Sequence, residues 1–179
     1  MRRALAALML WGCAMGAAGV SDRVPDTDPL VPVWIDERFS DDQRQEFLHA
    51  VVSWNKAIGG FQRFFIASMR ADLTHGLVYP GVTVELATTT TTALANTNKI
   101  RGRRIRFFPA TWSKHPECRY SVVLAHELGH TLGLNDDEVD SGLMRGPYGP
   151  HENCIDNGTL RRVALVNGWD QAKMTPVCL

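Results

Sequence analysis

The sequence predicts a single α+β domain in which a sheet packs against a buried helix, with a further helix near the C-terminus. Segments of alternating apolar residues are interleaved with segments of helical spacing, which argues for both element types in one layered unit. The 179 residues, 45% of them hydrophobic, suffice for one core but not comfortably for two. Residues 126–136 read HELGHTLGLND, an apolar helix face that carries polar groups and leaves through a glycine.

The elements follow in order. Residues 31–35 alternate apolar side chains and read as a first strand. Ser40, with Asp41 and Asp42, caps a helix reaching about Ile58. Phe47, Leu48, Val51, Val52 and Trp54 recur there at helical spacing, and Gly59-Gly60 ends it. Residues 61–69 read as a buried strand and residues 82–86 as another. Five consecutive threonines then occupy 88–92, so that 87–93 suits either an exposed edge strand or a Thr-rich loop.

Residues 99–106 hold Lys99, Arg101, Arg103, Arg104 and Arg106 ahead of Phe107 and Phe108, and read as a strand with one solvated basic face. The next helix is expected over about 116–132, with Pro116 in its first turn, where the missing N–H has no intrahelical partner. Residues 146–150 (GPYGP) are not helical. Asp156 or Asn157 caps a last helix over about 158–167.

Lys+Arg and Asp+Glu both number 19, so no global field points to nucleic acid or to a membrane surface. Residues 1–19 read as an export signal: Arg2 and Arg3, an apolar stretch too short to span a bilayer, then small residues. Leu10-Trp11-Gly12-Cys13 has the form of a lipobox, and lipidation at Cys13 is favoured over ordinary cleavage after Gly16 or Ala18. Residues 20–30 form a linker and 31–179 the domain. The expected product is secreted or lipid-anchored at the bacterial cell envelope, with membrane contact only through that anchor. Of the four cysteines, Cys118, Cys154 and Cys178 remain for the domain. One disulfide and one free thiol are expected, as Cys118–Cys178 or Cys154–Cys178.

The chemistry concentrates in residues 126–136. His126 and His130 lie four apart, so on a helix both imidazoles leave one face and can share a metal ion. Glu127 reaches a water on that metal without being a ligand. Gly133 lets the chain leave in a left-handed turn, and Asp136 returns as third ligand. The reading is a Zn²⁺ hydrolase site, with His126, His130 and Asp136 on the metal and Glu127 as general base.

The stretch HExxHxxGxxD resembles the extended motif of the metzincin metallopeptidases, and the aspartate variant looks like the snapalysin-type small bacterial proteases. Ser141-Gly142-Leu143-Met144 fits the family's Met-turn. The resemblance implies a metzincin-like zincin domain over roughly 31–170, acting as a monomeric endopeptidase on polypeptide substrates, with an edge strand at 87–93 as substrate ledge. Some relatives place a tyrosine two residues after the methionine. Gly146 stands there, so that role does not carry over, although Tyr148 and His151 lie nearby.

Two other readings remain. Glu152 and Asp156 form an ExxxD pair that would make Glu152 the third ligand in a gluzincin-type site, although the neighbouring glycines and prolines place it in irregular chain. A non-catalytic zinc-containing surface or lipid-anchored binding protein is the other, but it leaves Glu127 without a purpose.

Overall fold

The computed structural model describes residues 30–75, 79–89, 91–98, 103–115, 117–136, 142–145 and 153–179. The expectations for 1–29, Pro116, Tyr148, His151 and Glu152 fall outside them. The elements are β1 (Leu30–Asp36), α1 (Asp41–Ala57), β2 (Arg63–Ala71), β3 (Val82–Leu86), β4 (Ala95–Asn98), β5 (Arg104–Phe107), α2 (Pro109–Trp112), α3 (Tyr120–Thr131), β6 (Cys154–Ile155), α4 (Asn157–Asn167) and β7 (Val177–Cys178). This is the α+β class that the sequence predicts.

Five strands form one mixed sheet in the order β2-β1-β3-β5-β4. β1 runs parallel to β2 and β3, β3 runs parallel to β5, and only β4 is antiparallel. Parallel neighbours need a crossover, and α1 supplies the one between β1 and β2. Along β1, Val31, Val33 and Ile35 are buried while Pro32 and Trp34 are only partly covered, so one face carries the core. On β5, Ile105 and Phe107 are buried, and Arg104 and Arg106 lie on the opposite face, the alternation expected of a basic strand. Arg104 pairs with Glu85 at 2.8 Å.

α1 begins with a reciprocal cap: Gln43 N–H donates to Ser40 Oγ, and Ser40 N–H donates to Gln43 Oε1. Its buried face meets α3, where Trp54 Nε1 donates to the Ala125 carbonyl at 2.7 Å. Phe39, Phe47, Phe107, Trp112 and Tyr120 close the core beside them, with the Trp112 and Tyr120 rings stacked at 3.8 Å.

Four expectations need correction. β2 is a sheet edge with Phe65 42% exposed, not a buried strand, because β1 already has β3 on its other side. The edge beyond β5 is Ala95–Asn98, and 87–89 and 91–94 lead to it without strand structure, so the described residues of 87–93 follow the loop reading and not the edge-strand one. α3 starts at Tyr120, where its Ser121 N–H lies 3.3 Å from Glu46 Oε2 of α1 in place of a cap from its own chain segment. No described cysteine is free. Cys154 and Cys178 are bonded across the β6·β7 ladder, and Cys118 is disulfide-bonded as well, so the expected leftover thiol is absent among the described residues.

Candidate metal centre

α3 places the site because its sequence is apolar almost all round. Residues Ser121 to Thr131 are buried without exception, and the helix runs through the core with His126, Glu127 and His130 inside it. Buried polar groups need partners, and both histidines have them on one side. His126 Nδ1 is 2.7 Å from the Leu143 carbonyl oxygen, and His130 Nδ1 is 2.9 Å from that of Leu134. A carbonyl only accepts, so each ring carries its proton on Nδ1 and turns Nε2 inward. This is how a supporting hydrogen bond fixes a metal-binding tautomer.

The chain leaves α3 as the glycine predicts. Gly133 has φ +92°, which a side chain resists, and Leu134 N–H folds back onto the Gly129 carbonyl at 3.1 Å. Asp136 thereby reaches the histidines: its Oδ1 is 2.8 Å from His126 Nε2 and 3.0 Å from His130 Nε2. The histidine rings are nearly perpendicular with centroids 4.7 Å apart.

These donors fit a divalent cation. Both rings face an acceptor on each nitrogen, a conflict that only a second proton per ring or a cation at the Nε2–Oδ1 focus removes. His130 Nε2 is buried with no hydrogen-bond partner despite its 3.0 Å approach to Asp136. The short distance shows convergence, and the missing bond shows that the two atoms do not satisfy each other. Ligand atoms around tetrahedral zinc stand about 3.3 Å apart, so a few tenths of an ångström of opening accommodates the ion. Burial opposes charge on the His130 imidazole, but the close Asp136 and Glu127 carboxylates outweigh it and raise its pKa. Burial likewise opposes the Asp136 carboxylate, and its contacts with both histidines outweigh that and hold it far below the ordinary carboxylate range.

Glu127 is buried, and one of its carboxylate oxygens lies within 4.8 Å of the His126 and His130 donor atoms. The Thr97 hydroxyl of β4 donates to Oε2, whereas Oε1 is buried without a partner. The sequence reading missed Thr97, and no local pattern around it carried a signal. It also passed over Gly129, although a glycine inside a helix costs about 1 kcal/mol and so marks a close approach.

Met144 lies beneath the helix. Residues 142–145 turn, with Arg145 N–H at 3.4 Å from the Gly142 carbonyl, and both Leu143 and Met144 are fully buried. Asp156 ties this turn to α4: Oδ1 accepts from Thr159 N–H at 2.7 Å as the helix cap, and Oδ2 accepts from Gly142 N–H at 3.1 Å. The ExxxD reading therefore finds its aspartate engaged in capping, and its Glu152 lies outside the described residues.

No family model and no curated protein matches this chain. Among solved structures it is similar to "High choriolytic enzyme 1 (HCE-1), a hatching enzyme zinc-protease from Oryzias latipes (Medaka fish)", with 19% identity and a TM-score of 0.38. The match covers 68% of this chain and 49% of that one, so the chain spans about half that enzyme's length.

Proposed function

We propose that this chain is a zinc-dependent endopeptidase of metzincin type, close to the small bacterial snapalysin-like form that carries aspartate as third ligand. The observation behind this reading is the convergence of His126 Nε2 and His130 Nε2 on Asp136 Oδ1, with both Nδ1 atoms committed to carbonyls. With neutral imidazoles, hydrogen bonding leaves that arrangement unsatisfied, and His126, His130 and Asp136 holding Zn²⁺ would satisfy it.

Zinc supplies a Lewis acid that acidifies water and polarises a carbonyl. The residues of the chain do the rest. Glu127 takes the proton of the attacking water on its unpartnered Oε1 and returns it to the leaving amine. The terminal strand β4 takes the role first assigned to 87–93: an extended polypeptide adds alongside it by backbone pairing, which favours unstructured substrates. Residues 1–19 export the chain, to the cell envelope or beyond it.

The test is cleavage of casein or an unstructured peptide by purified mature protein, beside Glu127→Ala and a chelator control. The wild type cleaves, chelation abolishes activity reversibly on zinc return, and Glu127→Ala lowers kcat by roughly a hundredfold or more with zinc retained. A zinc-loaded wild type without cleavage would overturn the proposal in favour of a non-catalytic zinc protein.

A further inference from the structure

We infer that Thr97 is a positioning residue that orients the Glu127 carboxylate for proton transfer, an inference that rests on the peptidase reading above. Thr97 opposes Ile105 in the antiparallel β4·β5 pair, and directly opposed residues share a face. Ile105 is fully buried on the core side, so Thr97 faces the helices. Asn96 and Asn98 point the other way and are exposed.

The Thr97 hydroxyl donates to Glu127 Oε2 and lies 3.3 Å from the Glu127 backbone carbonyl. It has a single proton, and the carboxylate, nearer and charged, takes it. The terminal torsion of a glutamate is broad and roughly two-fold. Burial limits where the carboxylate can go, but only a directional bond fixes its plane. Anchoring Oε2 sets where the Oε1 lone pair points, and Oε1 is the buried oxygen left without a partner. The anchor also comes from the strand on which substrate would pair. A polypeptide seated on β4 would therefore steady the strand that aims the base.

The experiment compares zinc-loaded wild type, Thr97→Val and Thr97→Ser in steady-state peptide cleavage, with zinc stoichiometry and melting temperature measured on each. Valine keeps the shape and suits a strand, and serine keeps the hydroxyl. We expect Thr97→Val to lower kcat roughly ten- to a hundredfold, with KM within about twofold and zinc unchanged. Thr97→Ser stays within about threefold of wild type. An active wild type with Thr97→Val equal to it, or with Thr97→Ser falling as far as Thr97→Val, overturns the inference alone. A zinc-loaded wild type that does not cleave overturns the peptidase reading, and the inference with it.

Discussion

A side chain on Gly129 would collide with Met144: a Cβ at that position lies 2.5 Å from the methionine Sδ and 3.2 Å from its Cε. The methionine thus fills the space that a glycine vacates between the two histidines of α3, and Trp54 Cζ2 would lie 3.5 Å from the same added Cβ. The same turn places the Leu143 carbonyl on His126 Nδ1, so packing and imidazole orientation come from adjacent residues.

Gly129→Ala is therefore expected to destabilise the fold by about 1–3 kcal/mol, since Met144 is fully buried and has little room to yield. Met144→Ala in the same chain removes the clash. The double variant should lose less than the sum of the two single losses, measured by denaturant unfolding. Strict additivity would contradict the contact.

Asp136→His should keep zinc and shift the activity optimum to lower pH. A third neutral imidazole leaves more charge on the metal than a carboxylate does, so the attacking water loses its proton more easily. A pH–rate profile of kcat/KM checks the direction. Loss of zinc in this variant would count against Asp136 as a simple ligand.

Asp36 is a buried carboxylate away from the metal centre. Burial pushes its pKa up, but hydrogen bonds from the Arg38 side chain and from the Arg38 and Leu86 backbones outweigh this and lower it overall. Its folded value thus lies below the unfolded value of about 3.9, so its contribution is complete above that pH and fades as pH falls through the folded value. Arg38→Met leaves the carboxylate with only its two backbone donors and should cost about 1–3 kcal/mol at neutral pH. Urea titrations from pH 7 down to 3 should show the gap to wild type narrowing in acid, and a gap constant with pH would refute the account.

The Cys154–Cys178 bridge closes a loop over a sequence separation of 24, and Leu179 N–H continues the ladder onto the Asn153 carbonyl at 2.8 Å. Arg119, the residue before α3, donates to the Leu179 carbonyl at 3.0 Å, so Leu179 is fastened to the start of α3. Replacing both cysteines by serine should cost about 3 kcal/mol of stability. Unfolding of oxidised and reduced wild type beside the double variant measures it. Reduced wild type, which also loses the Cys118 bond, should be no more stable than the double variant.

The residues that could be read from the sequence are those whose chemistry is local. Ser40 precedes Asp41 and Asp42 at a helix start, and His126, His130 and Gly133 follow helical periodicity and exit. The edge strand could not be read this way. Ala95, Asn96, Thr97 and Asn98 have neither apolar alternation nor strand propensity as a group, and they form a strand because β5 presents Phe107 and Ile105 opposite Ala95 and Thr97. The threonine run upstream carried the propensity, but its described residues pair with no strand. The start of α3 depends on Glu46, 75 residues away, and the choice between disulfide pairings depends on the β6·β7 ladder. Long-range contacts of this kind leave no periodic trace in the chain.

Zinc titration of metal-free wild type against Asp136→Ala tests the central claim most directly. The account predicts one zinc per chain for wild type and at least a tenfold weaker affinity for Asp136→Ala. A folded wild type that binds no zinc, or an Asp136→Ala variant that binds it equally well, would contradict the metal centre described above.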